Sequence, residues 1–326
     1  MNKFKVSILV PVYGVEKYIE RCAHSLFLQS FKDIEFIFVD DCTMDESIVR
    51  LKEVISEYPA CIDKVQIIKH KKNKGVGATR KTAINAATGI YILYVDSDDY
   101  IEPNMVELLY NKAIEVDADM VFCSFLNEYS DKKSIEFRIR PTNNKVKLIQ
   151  NTFSNPSFWN KMFKRDLILK NHLEIHEGIN YGEDLVVIPQ LIYYSNTFAF
   201  VEKPLYHYIH YNVNSYTSEF SDENLNQTLM VIQLLTDFFI DKEVYYKDGI
   251  LLLKAIRKAK ILRSGRTEKQ FVDLFPEINS NIRLLDIDYK TKIVLSLAAH
   301  KQYLLLKIFV KILTNRSNNY LKINSL

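Results

Sequence analysis

An α/β fold, built on a mostly parallel sheet with helices on both faces, is predicted by two features of the sequence. Through the first 125 residues, short β-branched runs alternate with stretches of helical period. Two acidic clusters, Asp40-Asp41 and Asp96-Ser97-Asp98-Asp99, fall at the expected carboxyl ends of strands, the edge where such sheets bind ligands. Beyond about residue 221 the pattern turns helical, which divides the chain into an α/β region, 1–220, and a helical C-terminal region, 221–326.

The elements follow in order. Val6–Val10 reads as the first strand, followed by a helix with Val15, Ile19, Cys22 and Leu26 on one face. Ile34–Val39 is the second strand. Asp45 is placed to cap the next helix, whose apolar face is Ile48, Leu51 and Ile55, with Pro59 beyond its end. Val65–Ile68 is the third strand. A helix over 77–87 follows, with Gly89 suited to its C-terminal cap. Ile90–Val95 is the fourth strand. Pro103 opens a helix to about Val116, and Ala118–Phe125 is a fifth strand. Residues 126–150 are polar and read as a loop or irregular hairpin. Order returns with Trp159, a helix over 185–194 and an aromatic strand near 204–211.

Composition sets limits. With 19 Phe and 20 Tyr in 326 residues the chain can bury a core, so disorder is excluded. A net charge of +3 implies no nucleic-acid partner. The four cysteines at 22, 42, 61 and 123 form no CxxC pair and have no metal-site spacing with His, which fits reduced thiols in a cytoplasmic protein. The apolar run 6–12 is too short for a signal peptide and is broken by Ser7 and Pro11. No apolar stretch reaches the roughly 18 residues of a spanning helix.

Four constellations could carry chemistry. Three carboxylates within Asp96–Asp99 repel one another unless a cation neutralises them. Mg²⁺ or Mn²⁺ does so with one or two carboxylates, completing its shell with water and phosphate oxygens; an acidic turn capping the next helix is the plain alternative. Asp40-Asp41 could accept hydrogen bonds from a ribose or a base, or cap a helix. Asn73-Lys74-Gly75-Val76-Gly77 precedes a helix bearing Arg80 and Lys81, where glycines and a helix N-terminus favour phosphate. It is neither a Walker loop nor a dinucleotide fingerprint, and an ordinary loop with a basic face is its alternative. Gly182-Glu183-Asp184 opens an apolar helix, either as dipole-complementing acids or as a base held at a rigid helix start.

Together these segments resemble glycosyltransferase family 2, with its GT-A fold. Val6–Tyr13 looks like the family's opening strand and Pro-Val-Tyr turn, and Val39–Asp45 like its VDDGSxD segment. Asn73-Lys74-Gly75 with Arg80 is similar to NxGxxxAR, and Tyr94–Asp99 to its DSDD motif. Trp159-Asn160-Lys161, Gly182-Glu183-Asp184 and Pro204-Leu205-Tyr206 resemble later segments, so the likeness covers residues 5 to about 216. The resemblance implies a metal-dependent, inverting transfer of a sugar from a nucleotide-diphosphate donor, commonly a UDP-sugar, to an acceptor hydroxyl. Pro11, Val12, Tyr13, Asp40 and Asp41 would hold the nucleoside, with Asn73, Gly75 and Arg80 near the nucleotide and Asp96 and Ser97 near the ribose or metal. Asp98, with Asp96, would ligate Mn²⁺ or Mg²⁺. Asp184 would be the general base, with Glu183 beside it.

Some positions depart from the family. Cys42 replaces a Gly, so the turn there should avoid positive φ. Ile209 stands where the family often carries an Arg toward the phosphates; His207 or His210 could substitute, or simply pack, and Trp159 and Lys161 are secondary candidates. Lys290–Leu313 is apolar but broken by Lys and His, which suits a basic amphipathic helix on a membrane surface or a helix packed on protein or on a second copy in a homodimer. Expected partners are the donor, a glycan or lipid-linked acceptor, and that surface, with localisation cytoplasmic or peripheral on the inner face of the membrane. Cell-surface polysaccharide synthesis is the setting the resemblance implies. A nucleotidyltransferase would show a Gly-rich phosphate loop at the N-terminus, which residues 11–16 match poorly. A catalytically inactive nucleotide-sugar-binding protein would not need Asp98 and Asp184 together.

Overall fold

In the computed structural model, residues 3–131, 133–212 and 220–323 are described, with side chains to residue 313. The stretch 213–219, where the family likeness ends, lies outside the described residues. The chain divides into two compact units, Met1–Lys145 with Pro156–Ser218, and Val146–Asn155 with Glu219–Leu326.

The first unit is a mixed α/β structure around a curled sheet. Its elements are β1 (Val6–Val12), α1 (Ile19–Phe27), β2 (Ile34–Asp40), α2 (Ser47–Glu57), β3 (Val65–Lys69), α3 (Val76–Ala86), β4 (Tyr91–Tyr94) and β5 (Tyr100–Ile101). They continue with α4 (Met105–Glu115), β6 (Met120–Glu128), β7 (Ser134–Phe137), β8 (Lys161–Lys164), α6 (Asp166–Lys170), α7 (Glu183–Tyr194) and β9 (Phe198–Ile209), while α5 (Lys145–Thr152), between β7 and β8 in the chain, belongs but for Lys145 to the second unit. The strand order is β3-β2-β1-β4-β8-β6-β9-β5, with β7 paired to β6. The first four strands are parallel, and β8 enters antiparallel between β4 and β6. Period-two alternation divides the strand side chains. Val6, Ile8, Val10, Phe36, Phe38 and Leu93 join Ile19, Cys22 and Leu26 of α1 and Leu109 of α4 in one core cluster. On the other face α3 packs against β1 and β2.

Several local expectations change. Gly89 is not a helix cap: α3 ends at Ala87 in extended conformation. A Cβ on Gly89 would lie 2.5 Å from Ser7 Oγ and 2.6 Å from Ser7 N, so glycine is needed for close approach of two backbones. Its N–H donates to Ser7 Oγ at 2.8 Å and to the buried Glu35 carboxylate at 3.0 Å. Cys42 has φ 59°, so the expectation that its turn avoids the left-handed region was wrong; a non-glycine residue carries that conformation at a cost of about 1–2 kcal/mol. Asp45 does not occupy the cap position of α2, which is Glu46; its Oδ1 still accepts the Ser47 N–H at 3.2 Å. Pro103 lies outside α4, which starts at Met105 behind Asn104. The polar stretch after 126 resolves into the β6–β7 hairpin and the start of α5.

The second unit contains α8 (Asp222–Phe239), α9 (Val244–Arg263), α10 (Lys269–Val272), α11 (Tyr289–Ala299) and α12 (Tyr303–Ile323). The segment 290–313 is two helices rather than one, turning at Lys301 with φ 55°. Val294, Ala298, Leu306 and Val310 pack with Leu262 and Val272. Leu304, Leu305, Ile308 and Ile312 stay exposed on α12. Among the described residues no helix is long and apolar enough to cross a membrane.

Candidate active site

The carboxyl ends of β1, β2 and β4 lie side by side, because Val12 pairs with Asp40 and Leu9 with Tyr94. Both acidic clusters therefore sit on one edge of the sheet. Tyr13 is exposed and Pro11 half-buried there. Val12 was expected to line a base pocket, but its side chain is wholly in the core. It reaches the edge only through its carbonyl, which accepts the Asp41 N–H at 3.0 Å.

Asp40, the last residue of β2, and Asp41, just beyond it, are both buried. Asp40 Oδ1 accepts the Thr43 N–H at 2.8 Å and Oδ2 lies 3.7 Å from Lys69 Nζ. Asp41 organises the next loop: Oδ1 accepts the Lys74 N–H at 2.9 Å and Oδ2 the Gly75 N–H at 2.7 Å. Its Oδ1 also meets His70 Nδ1 at 2.7 Å, while His70 Nε2 meets Thr82 Oγ1 at 2.9 Å. Asn73 is exposed and its Oδ1 accepts the Gly75 N–H. The glycines of this loop were read as room for a phosphate, but the chain itself takes that room. A Cβ on Gly77 would lie 2.5 Å from the Ile179 carbonyl, and one on Gly75 would overlap the Asn180 side chain. Asn180 Oδ1 accepts the Gly77 N–H at 3.3 Å. The start of α3 is thus covered by the segment leading into α7.

Arg80 joins the two ends of the site. Buried on α3, it donates from Nη2 to Asp96 Oδ1 at 2.8 Å and from Nε to Glu183 Oε1 at 3.1 Å. Its guanidinium lies 5.1 Å from the Tyr94 ring and 5.2 Å from the Phe158 ring. Its Nη1 is buried with no hydrogen-bond partner, an orphaned donor of the kind a bound anion would satisfy. Burial works against the charge, but Asp96 and Glu183 outweigh it and hold the guanidinium firmly protonated. The end of β4 and the start of α7 are therefore one guanidinium apart.

Within the 96–99 turn, Ser97 is buried and the three carboxylates have different surroundings. Asp99 is fully buried, accepting the Tyr206 hydroxyl at 2.6 Å and the Ile209 N–H at 2.8 Å. Its role is to tie the turn to β9. Asp98 is half-buried, and its Oδ2 accepts Asn212 Nδ2 at 2.8 Å. Burial first, and then the Asp96 charge, raise its carboxyl from its ordinary value. Asp96 remains a quarter exposed, and its second oxygen receives no protein hydrogen bond among the described residues. Such a pair is short of positive charge and fits a hard cation shared with a substrate diphosphate. It does not form a protein cage: among the described residues no group of three or more His, Cys, Asp or Glu is arranged to hold a metal ion.

Gly182 takes the left-handed conformation (φ 89°) that starts α7 at Glu183. Asp184 is half-buried in the first turn, and its Oδ1 accepts the Leu185 N–H at 2.7 Å. Burial, and then the neighbouring Asp184 charge, push the Glu183 carboxyl up to about 8 despite Arg80. Lys161 lies buried on β8, donating to Asn160 Oδ1 at 2.6 Å and to the Ser157 carbonyl. Burial pulls its amine down to about 7, with Asp184 opposing.

The other secondary candidates have protein partners of their own. Trp159 is buried, stacked on Tyr206 at 4.4 Å and Tyr208 at 5.3 Å. His207 was weighed as a phosphate ligand; instead its ring nitrogens meet Glu128 Oε1 at 2.8 Å and Glu102 Oε1 at 2.9 Å, and it stacks on Tyr100. His210 is exposed, with Nε2 on Asn127 Oδ1 at 2.8 Å and its ring against Tyr129. Sequence reasoning missed Asn180 and Tyr206, whose hydroxyl also accepts the Asp96 N–H at 3.1 Å.

The family model for glycosyl transferase family 2 matches residues 7–173. The chain is 31% identical over 212 residues to EpsH of Bacillus subtilis (strain 168), covering 62% of this chain and 60% of EpsH. The matched regions span 60%, 53% and 30% of the length of three curated relatives. S. aureus TarS 1-349, solved with UDP-GlcNAc, superposes with a TM-score of 0.67 at 19% identity, over 95% of this chain and 92% of that one. The mannosyltransferase PcManGT from Pyrobaculum calidifontis, solved with GDP-Man and Mn²⁺, superposes with a TM-score of 0.55 at 12% identity, over 94% and 85%.

Proposed function

Because the chain belongs to glycosyl transferase family 2, we propose that it moves a sugar from a UDP-sugar to an acceptor hydroxyl with inversion at the anomeric carbon. The observation that carries this reading is Arg80, which spans from Asp96 at the end of β4 to Glu183 at the start of α7. One acidic site can then face the leaving diphosphate while the other faces the incoming alcohol. TarS, solved with UDP-GlcNAc, supports the choice of donor.

Pro11, Tyr13 and Asp40 border the nucleoside site, and Asp41 shapes the 73–75 loop beside it. Asp98, with Asp96, would hold Mn²⁺ or Mg²⁺, which when bound supplies charge stabilisation at the departing diphosphate. Arg80 Nη1 is the protein's own donor for that region. Asp184 removes the proton of the attacking hydroxyl, whose pKa is too high for attack unaided. One displacement with one base inverts the centre. The acceptor is a glycan or a lipid-linked sugar, in surface-polysaccharide assembly.

Asp98→Ala tests the cation assignment. Titration calorimetry with UDP should show that Mn²⁺ tightens binding to the wild type, and that this gain falls at least about tenfold in the variant. An unchanged gain would remove Asp98 from the site.

The exposed stripe of Leu304, Leu305, Ile308 and Ile312, flanked by Lys307 and Lys311, supports contact with an anionic membrane surface. Leu304→Asp/Ile308→Asp should abolish flotation with phosphatidylglycerol vesicles. Equal flotation of wild type and variant would rule the stripe out.

A further inference from the structure

Arg21, on α1, enters none of the motifs above, yet it touches the turn that holds Asp98. Its Nη2 donates to the Asp98 carbonyl at 2.9 Å and its Nη1 to the Tyr211 hydroxyl at 2.7 Å. The guanidinium lies 4.6 Å from the Tyr100 ring centroid, and Tyr100 in turn stacks on His207 at 4.0 Å. Tyr211 lies two residues past the end of β9, and its neighbour Asn212 donates to Asp98 Oδ2 at 2.8 Å. Asp98 is therefore held twice: through its main chain by Arg21, and through its carboxylate by a residue next to the one Arg21 also holds.

We propose that Arg21 is a positioning residue that fixes the Asp98 carboxylate for its cation. This rests on the assignment of Asp98 as a metal ligand. The chemistry suits arginine: a rigid planar fork can reach two acceptors on different segments at once, while a lysine ammonium on a flexible stem cannot hold both in one geometry. The two acceptors belong to the 96–99 turn and to the segment after β9, pieces of chain more than a hundred residues apart that Arg21 bonds at once. Without Arg21, nothing else in the described contacts bonds the Asp98 carbonyl. The turn could then rotate and swing the carboxylate out of register with the diphosphate.

Two other roles are set aside by the same geometry. Arg21 is read as a positioning residue rather than a phosphate ligand because Nη1 and Nη2 each already donate to a protein acceptor, and those two acceptors lie on the 96–99 turn and on the segment after β9. It is not mere glue for α1 either, because α1 is already anchored by Ile19, Cys22, Ala23 and Leu26 in the core.

The test compares the UDP affinity of the full chain with and without Mn²⁺, by calorimetry, in wild type, Arg21→Lys, Arg21→Gln, Tyr211→Phe and Asp98→Ala. The ratio of the two affinities is the readout. Arg21→Gln should lower this ratio about tenfold and Arg21→Lys about threefold to tenfold, with metal-free UDP affinity unchanged. Tyr211→Phe deletes one hydroxyl and keeps the fold testable should Arg21→Gln unfold; it should lower the ratio about threefold. A wild-type ratio in Arg21→Lys and Tyr211→Phe overturns the proposal. So does an equal fall of metal-free and metal-dependent affinity, which would mark a general structural role. If Asp98→Ala itself keeps the wild-type ratio, the metal assignment has failed; a lowered ratio in Asp98→Ala beside wild-type ratios in the Arg21 variants rejects Arg21 alone.

Discussion

Asp184→Asn should lower sugar transfer by roughly 10²–10⁴-fold, the usual worth of a positioned general base, while UDP binds as before. The measurement is UDP release under saturating donor and acceptor, beside calorimetric UDP affinity. The substitution is nearly isosteric, and the asparagine oxygen can still accept the Leu185 N–H that Asp184 accepts now. What is lost is the capacity to take a proton. Glu183 does not replace it. Its carboxyl is buried and already bonded to Arg80 Nε at 3.1 Å, so it serves as the partner of that guanidinium rather than as a base for the acceptor. Turnover by Asp184→Asn at a near-wild-type rate would refute the base assignment.

The parts of this site that could be read from the sequence are those carried by periodicity and by short motifs. Val6, Ile8 and Val10 alternate as a strand must, and Ile19, Cys22 and Leu26 recur at helical spacing, so both appear as elements before any packing is known. The acidic ends of β2 and β4 follow from where those runs stop. What stayed hidden is what depends on distant chain. Gly77 and Gly89 look like generic loop and cap glycines, yet each exists because another backbone passes within 3 Å of where a Cβ would be. Cys42 at φ 59° shows that a turn can keep its left-handed residue without the glycine. His207 looked available on an aromatic strand, and only the approach of Glu102 and Glu128 shows both its nitrogens taken. Arg21 was invisible because a helical-face reading counts apolar positions, and its two partners lie 77 and 190 residues away.

The effect on the fold should be largest at Arg80, and there the structural and catalytic roles can be separated. Arg80→Met should cost about 3–5 kcal/mol in urea unfolding, the range for breaking a buried ion pair by deleting one partner. The loss should depend on pH with a definite sign. With the cation gone, the Glu183 carboxyl is held even further above its unfolded value near 4.5. Its contribution is intact below that value and is lost as pH rises toward the folded one, by up to about 1.4 kcal/mol per pH unit. The wild-type loss should therefore level off above about pH 8, whereas Arg80→Met should go on losing stability beyond it. Adding Glu183→Gln removes the stranded ionisable group and should restore most of the stability and flatten that slope. Activity should not return, because Asp96 has still lost the 2.8 Å bond that ties it to α3, and the buried Nη1 donor is gone. If the double variant is no more stable than Arg80→Met, Glu183 is not the charge that Arg80 neutralises. If the double variant transfers sugar like wild type, Arg80 is scaffolding, and the two acidic sites do not need it to work as one.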